Sequence, residues 1–362
     1  MITIFMICAL AVFYAVFALG IIDSVHFFQL NSYRFDTHTS WIWQNKSKYL
    51  SHMTLSVLLL AVVLLPINIY IKTVASIIIF LLAIPVEKPK KAKKPLVYTP
   101  RVKRMLITTA VLLLVFTLIP NAFYYGKNRE TVVLAFYAAI YALTPFVILL
   151  SNLINKPMER SINKGYIKDA KRILKECNNL IIIGVTGSYG KTSVKYYLNT
   201  LLRAKYNVLM TPESYNTPMG VVKTIRGSLK ATHEIFICEM GAKWVGDIKE
   251  LCDIVHPHHG VITSVGPQHL ESFKTLDAVK STKFELADAL PEGGMLFLNG
   301  DDQNIKDYNK NSDAITYSLD GNGDYCAFDI SVSDRGTVFS VKAPNGETEE
   351  YSTKLIGRHN VL

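Results

Sequence analysis

A glycine-rich segment followed by a lysine and two hydroxyl residues is the clearest candidate for chemistry in this 362-residue chain. Its candidate nucleotide contacts are consecutive: Thr186, Gly187, Ser188, Tyr189, Gly190, Lys191, Thr192 and Ser193. Glycines let backbone N–H groups turn toward an anion, Lys191 can reach the β- and γ-phosphates, and the Thr192 hydroxyl can hold Mg²⁺. The strict Walker A pattern is not met, because Val185 occupies the position of its first glycine. The segment therefore predicts a phosphate-binding loop of a variant type.

The sequence on either side of this loop predicts the elements that would position it. Residues 180–186 are apolar and mostly β-branched, which is typical of a buried parallel strand. Four apolar residues that share one face of a helix follow the loop: Val194, Leu198, Leu201 and Leu202. This order predicts an α/β P-loop domain with a mostly parallel sheet. Three alternating runs, 328–332, 338–341 and 351–356, predict antiparallel hairpins beside it.

Residues that follow the next strands could bind a metal ion. Glu239 ends the apolar run 235–238, and a carboxylate at the carboxyl end of a parallel strand, beside a phosphate loop, can bind a nucleotide-bound cation. The simpler alternative is that Glu239 caps the following turn. His269 follows the run 260–265, but a lone loop histidine is usually solvated. The histidines at 256, 258 and 259 have no distant cysteine or histidine partner, which favours solvated side chains over a zinc site.

Together these segments resemble the Mur ligases of peptidoglycan synthesis, whose phosphate loop has the form TGxxGK[ST], as does that of folylpolyglutamate synthase. Further similar segments follow in the family's order: Glu239–Ala242, Ile262–Glu271, Thr282–Glu285, Leu298–Asp302 and Gly357–Val361. The resemblance covers residues 180–362. The EMGA and VGxxHLE forms are most similar to the branch of the family that adds D-alanyl-D-alanine to a UDP-N-acetylmuramoyl-tripeptide.

The resemblance implies ATP-dependent formation of an amide bond through an acyl phosphate. Catalytic roles are implied for Lys191, His269 and Lys283. Mg²⁺ ligands are implied at Thr192, Glu239, His269 and Lys283, where the lysine is carbamylated by CO₂ and becomes a carboxylate-like ligand. No rule outside the family predicts that modification, and the plain alternative for Lys283 is a surface helix lysine paired with an acid.

The resemblance also implies contacts with the two larger substrates. Asn299 and Asp302 are implied to flank the adenosine, although they could equally form a polar turn after a strand. Asn216 and Thr217 are implied to face the muramoyl-peptide. The second substrate would be a D-amino-acid dipeptide or another amine, whose identity the sequence leaves open.

Residues 1–154 belong to a different class of sequence. The formal net charge of +10 lies entirely here, since these residues carry 14 Lys and Arg against 4 Asp and Glu, whereas residues 155–362 carry 25 of each. The polar part has no net basic field, so nucleic acid is excluded as a partner. Half of the whole chain is hydrophobic and only 19% is charged. This composition predicts a membrane region joined to a neutral soluble domain.

Four uncharged or nearly uncharged runs are long enough to cross a lipid bilayer: 2–22, 55–86, 105–123 and 131–153. Five spans result if the long run 55–86 is a hairpin. The basic loop 87–104 predicts a cytoplasmic position for itself and for the ATP-binding domain, in a multi-pass protein of the cell membrane. Apart from Lys72, which is expected near an interface or turn, no ionisable residue lies deep in a run, and this favours an anchor over a transporter.

The domain organisation departs from the resembling family. Residues 155–179 are interpreted as a linker and lead-in helix, and residues 180–362 as a central domain truncated at its C-terminal end. The membrane region stands where a Mur ligase has its UDP-sugar domain, which leaves open a lipid-linked acceptor. A partner chain could supply the missing third domain. The alternative functions are a membrane-anchored ATPase or nucleotide-sensing module, and a catalytically incomplete scaffold.

Overall fold

The computed structural model describes residues 2–31, 33–44, 46–87, 95–123, 128–309 and 312–362. These residues form two compact units, Met1–Ile162 and Asn163–Leu362. The division falls within one helix, Thr144–Glu176.

The first unit is helical. Its helices are α1 (Ile2–Leu30), α2 (Phe35–Gln44), α3 (Lys46–Leu64), α4 (Ile69–Glu87), α5 (Pro100–Phe123), α6 (Arg129–Ala142) and α7 (Thr144–Glu176). Aromatic side chains fill its core, where the rings of Phe13 and Tyr137 stack with centroids 5.0 Å apart. Among the described residues, three helices are long and apolar enough to cross a membrane: α1, α4 and the Pro100–Ile119 part of α5. The number rises to five if two bent pairs, α2 with α3 and α6 with α7, each form one span.

Two of the runs expected to span are broken in the structure. Helix α3 ends at Leu64 and α4 begins at Ile69, with Pro66 between them, so the run 55–86 is two helices rather than one. The run 131–153 bends by 75° between α6 and α7. Pro145, in the first turn of α7, has no N–H to continue the preceding helix. Of the predicted basic loop 87–104, residues 88–94 lie outside the described residues.

Lys72 lies in the first turn of α4, next to the break in the run 55–86, and a buried acid just beyond that run ends the same helix. Glu87 is fully buried at the end of α4, where its Oε1 accepts a hydrogen bond from the Tyr141 hydroxyl (2.8 Å) and lies 3.1 Å from His52 Nε2. A Cβ on Gly20 would lie 2.7 Å from Glu87 Oε2, so that glycine leaves room for the carboxylate. The adjacent lysines predicted a loop at Glu87, but Glu87 belongs to helix α4.

The second unit is a nine-stranded mixed sheet with helices. Its elements are β1 (Ile181–Thr186), α8 (Lys191–Leu202), β2 (Val208–Met210), α9 (Pro218–Ser228), β3 (Ile235–Glu239), α10 (Asp247–Val255), β4 (His259–Ile262), α11 (Leu270–Phe273), α12 (Leu276–Asp288), β5 (Leu296–Asn299), α13 (Gln303–Tyr308), β6 (Ile315–Ser318), β7 (Tyr325–Ser333), β8 (Gly336–Lys342) and β9 (Thr348–Thr353). The order is β2-β3-β1-β4-β5-β6-β7-β8-β9. All pairs from β2 to β7 are parallel, and β7-β8 and β8-β9 are antiparallel. The prediction of a mostly parallel α/β domain is confirmed.

Burial on both faces of the sheet explains the apolar strands. In β3, Phe236 and Cys238 join one hydrophobic cluster, whereas Ile235 and Ile237 join the other. Helix α12 packs closely on one face, because a Cβ on Gly184 would lie only 2.8 Å from Leu286 Cδ1. This close approach draws α12, and with it the candidate ligand Lys283, toward the central strand.

Candidate nucleotide and metal site

The glycine-rich loop connects the end of β1 to the start of α8. Strand register places Val185 beside Glu239 and Thr186 beside Ile262, so the carboxyl ends of three central strands meet here. Gly187 has a φ of 151°, and a Cβ at this position would lie 2.1 Å from Thr263 Oγ1. Only glycine fits so close an approach, which explains the residue type that the sequence pattern requires.

The segment after β4 braces this loop. The Ser188 N–H donates to Ser264 O (2.7 Å), and the Tyr189 N–H donates to Ser264 Oγ (2.9 Å). The Thr263 hydroxyl donates to Tyr189 O (2.6 Å). Thr186 is buried and donates to Met240 O (2.9 Å), whereas the Tyr189 ring is exposed. The loop is therefore held in shape by the backbone and hydroxyl groups of its neighbour.

Lys191 lies folded against its own loop. Its Nζ donates to Gly187 O (2.7 Å) and Ser188 O (3.1 Å). Burial lowers the pKa of Lys191, and the nearby Glu239 carboxylate partly offsets that effect. Thr192 and Ser193 are exposed in the first turn of α8, where backbone N–H groups lack intrahelical partners. A phosphate bound at this helix terminus would contact the Lys191 ammonium group and the backbone N–H groups of the first turn of α8.

Glu239 is the centre of a buried hydrogen-bond network. Its Oε2 accepts from Thr192 Oγ1 (3.1 Å) and lies 2.9 Å from Lys195 Nζ, while its Oε1 accepts from Asn216 Nδ2 (3.0 Å). Both the Glu239 and Lys195 side chains are 1% exposed or less. Sequence reasoning missed Lys195. Its spacing in the sequence was the signal: Lys195 follows Lys191 by about one helical turn, on the buried face of α8.

The oxygens present suit a magnesium ion that also contacts phosphates. Thr192 Oγ1 and Glu239 are hard oxygen donors, and Mg²⁺ usually takes only one or two carboxylates and completes its shell with water and phosphate oxygens. Glu239 Oε2 already accepts two hydrogen bonds, whereas Oε1 accepts one, so Oε1 has the greater remaining capacity. Among the described residues, no group of three or more His, Cys, Asp or Glu side chains could hold a metal by itself.

Lys283 is a buried lysine on α12. Its side chain is 1% exposed, and no hydrogen bond or ion pair joins it to any described residue. Burial lowers its pKa to about 7; the charge of Lys191 acts in the same direction, and Asp247 and Glu285 act against it. Glu285 instead accepts from the backbone N–H groups of Gly246 (2.9 Å) and Lys249 (2.8 Å). The alternative of a surface lysine paired with an acid is therefore wrong.

His269 lies in the same neighbourhood but does not contact Glu239. It is exposed at the start of α11, with a left-handed φ of 55°. Partial burial lowers its pKa, and the positive charges of Lys243, Lys283 and Lys191 lower it further. The imidazole therefore favours its neutral form, which is the form that binds metals.

The remaining predicted contact residues have structural partners. Asn299 Nδ2 donates to Thr263 O (3.0 Å), and Asp302 Oδ2 accepts from the Val265 N–H (2.8 Å), so both brace the segment behind the phosphate loop. Asn216 contacts Glu239 as described. Thr217 caps α9, and its hydroxyl accepts from the Gly220 N–H. The contacts of Asn299 and Asp302 with adenosine, and those of Asn216 and Thr217 with a muramoyl-peptide, stay predictions.

The fold and this site define an α/β domain of the P-loop type. Residues 185–362 match the Mur ligase middle domain.

Two curated relatives carry the same enzyme name. The chain is 31% identical over 193 residues to the UDP-N-acetylmuramoyl-tripeptide–D-alanyl-D-alanine ligase of Bacillus subtilis, covering 53% of this chain and 41% of that protein. It is 32% identical over 192 residues to the ligase of the same name from Buchnera aphidicola, covering 52% and 41%. Crystal structure I of MurF from Acinetobacter baumannii superposes with a TM-score of 0.51 at 25% identity, covering 55% and 44%. The chain thus spans less than half the length of these relatives.

Proposed function

We propose that the protein activates the terminal carboxylate of a muramoyl-peptide with ATP, as the first half of ligation to D-alanyl-D-alanine or a similar amine. The observation that carries this proposal is the buried Glu239 carboxylate, hydrogen-bonded to Thr192 at the start of the helix that follows the glycine loop. The name shared by the relatives supports the choice of acceptor and amine.

In the proposed reaction, a carboxylate oxygen of the acceptor attacks the γ-phosphorus and the bond to the β–γ bridging oxygen breaks, releasing ADP. The amine nitrogen then attacks the acyl carbon, phosphate leaves, and the nitrogen loses a proton. Lys191 would exchange its two loop carbonyls for phosphate oxygens, and the first turn of α8 would bind the same charge. Thr192 and Glu239 would hold Mg²⁺, which neutralises phosphate charge.

Lys283 suits the proposed carbamylation. Its nitrogen must be neutral to attack CO₂; the nitrogen then loses a proton and leaves a carbamate anion. The pKa of about 7 supplies that neutral amine at cellular pH, and burial protects the product from water. A carbamate here, with neutral His269 nearby, would add oxygen and nitrogen donors to the metal site.

We also propose that the helical unit crosses the cell membrane and that the ATP-binding unit is cytoplasmic. Support comes from the three long apolar helices and from the basic residues at the start of α5, Arg101, Lys103 and Arg104. In a cysteine-free variant, Tyr98→Cys should react with a membrane-impermeant maleimide only after permeabilisation, and Asn128→Cys should react in intact cells. The opposite labelling would overturn the orientation. A lipid-linked muramoyl-peptide is an alternative acceptor within this proposal.

One observation favours a second candidate, an ATPase that drives a change in the helical unit. It is the buried Glu87 carboxylate with His52 and Tyr141, because ionisable groups inside apolar helices are commonly functional. Such an ATPase would hydrolyse ATP without any acceptor carboxylate.

Hydroxylamine trapping separates these candidates. The full chain in lipid nanodiscs is incubated with Mg-ATP, UDP-N-acetylmuramoyl-tripeptide and hydroxylamine, and the acceptor hydroxamate is measured by mass spectrometry. We expect hydroxamate and ADP in equal amounts, and neither with an acceptor whose terminal carboxyl is an amide. ADP formation that ignores the acceptor would favour the ATPase, and no nucleotide turnover at all would favour the scaffold.

A further inference from the structure

We propose that Lys195 is a positioning residue that fixes the Glu239 carboxylate and the segment 212–217 with one buried ammonium group. Its Nζ lies 2.9 Å from Glu239 Oε2 and also donates a hydrogen bond to the backbone carbonyl of Glu213. The Lys195 side chain is 0% exposed. The catalytic part of the inference rests on the proposed function, whereas the structural part does not.

Charge is the first reason for this role. A buried carboxylate needs a counter-charge, and Lys191 does not provide a direct one, because its Nζ is bonded to the carbonyls of its own loop. Lys195 fills that need from the next turn of the same helix. Helix α8 therefore carries a lysine bonded to the glycine loop and, four residues later, a lysine paired with the carboxylate.

The backbone at Glu213 is the second reason. Glu213 has a left-handed φ of 43°, a conformation that costs a non-glycine residue energy and persists only where its surroundings hold it. Its side chain is exposed, so the turn is held through its backbone: the Tyr215 N–H donates to Pro212 O (3.0 Å), and Lys195 adds the bond to the Glu213 carbonyl. Three residues later, Asn216 donates to the other oxygen of Glu239.

Lys195 thus holds one oxygen of Glu239 directly and sets the segment whose Asn216 holds the other. The Asn216 side chain has little free space around it, since a Cβ on Gly241 would lie 2.7 Å from Asn216 Cγ. If a cation or phosphate draws the Thr192 hydroxyl away, Lys195 and Asn216 still fix the carboxylate. Such preorganised charge is what phosphoryl transfer requires of a protein.

The test measures hydrogen exchange of the segment 212–217 in the full chain. Glu239→Gln is compared with Lys195→Met/Glu239→Gln, because the double variant removes both buried charges together and so avoids an unpaired one. We expect faster exchange of this segment in the double variant, with strands β1 and β3 still protected. Unchanged protection of the segment in a folded double variant would overturn the proposal.

Catalysis is tested by Lys195→Met alone in the hydroxylamine assay, with Lys205→Met at an exposed position just after α8 as the control. We expect hydroxamate formation to fall about 100-fold, as for small misplacement of reacting groups, with little change in the KM for ATP. A rise in that KM with an unchanged turnover number would contradict a positioning role. If the unmodified protein forms no hydroxamate, the proposed function fails, but hydrogen exchange still decides the role of Lys195.

Discussion

Replacement of Lys283 by methionine should stabilise the α/β unit at neutral pH. Burial lowers the pKa of Lys283 from 10.5 to about 7, and one pKa unit corresponds to about 1.4 kcal/mol. In the absence of CO₂, the folded state therefore loses about 5 kcal/mol of stability below pH 7. Lys283→Met removes this cost and keeps an apolar chain of similar length.

The pH dependence follows from the sign of the shift. Between pH 7 and pH 10.5 the unfolded chain binds a proton that the folded protein does not, so the stability of the unmodified protein rises with pH. Above pH 10.5 both states are neutral and the cost is gone. The advantage of Lys283→Met should therefore be largest at pH 7 and below, and shrink to about 2 kcal/mol at pH 9.

Tryptophan fluorescence provides the assay. The chain has three tryptophans, and the background Trp41→Phe/Trp43→Phe leaves Trp244 as a reporter of the α/β unit. Urea unfolding is followed in CO₂-free buffer from pH 6 to pH 10. Lys280→Met, on the same helix at a partly exposed position, is the matched control and should change stability by less than about 0.5 kcal/mol. A neutral or destabilising Lys283→Met at pH 7, or an advantage that does not shrink with pH, would refute the reasoning.

Three further predictions concern other parts of the chain. Gly187→Ala, whose Cβ would lie 2.1 Å from Thr263 Oγ1, should lower the free energy of unfolding by about 1–3 kcal/mol in the same urea assay. The control Gly227→Ala in α9, whose Cβ would meet nothing within 4 Å, should raise it by about 0.5–1 kcal/mol. Equal effects of the two substitutions would contradict the close approach at Gly187. Glu87→Ala should cost the helical unit about 1–3 kcal/mol by circular dichroism, because it leaves the buried Tyr141 hydroxyl without its acceptor, and a harmless substitution would mean that its buried contacts add nothing. With ¹³C-bicarbonate at pH 8, NMR should detect a protein carbamate that Lys283→Met lacks, and a signal retained in that variant would place the carbamate elsewhere.

The phosphate loop could be predicted from local sequence because its parts are contiguous. Strand, glycines, Lys191 and Thr192 lie within a dozen residues, and backbone geometry alone requires glycine at 187. Glu239 could be placed beside them from strand order, since the carboxyl ends of neighbouring parallel strands meet at one edge.

Features that depend on the rotation or length of a helix could not be predicted in this way. Leu201 was expected on the buried face of α8 but is 71% exposed, while Lys195 and Asn199 are buried. Lys195 turns inward because Glu239 lies beneath the helix and pairs with it, and hydropathy carries no trace of that partner. The lysines that follow Glu87 predicted a loop there. The partners of its carboxylate, Tyr141 and His52, are distant in sequence, so the residues beside Glu87 give no sign that it is buried.

The proposed function depends on transfer of a phosphoryl group from ATP to an acceptor carboxylate at the nucleotide site. Positional isotope exchange tests it most directly, using ATP with ¹⁸O in the β–γ bridge and the full chain in nanodiscs. Reversible transfer lets the β-phosphate of ADP rotate before ATP re-forms, so the label should move to non-bridging positions when UDP-N-acetylmuramoyl-tripeptide and Mg²⁺ are present. No movement is expected with the terminal amide or with Lys191→Ala. ADP production that proceeds without any movement of the label, whatever the acceptor, would contradict the account.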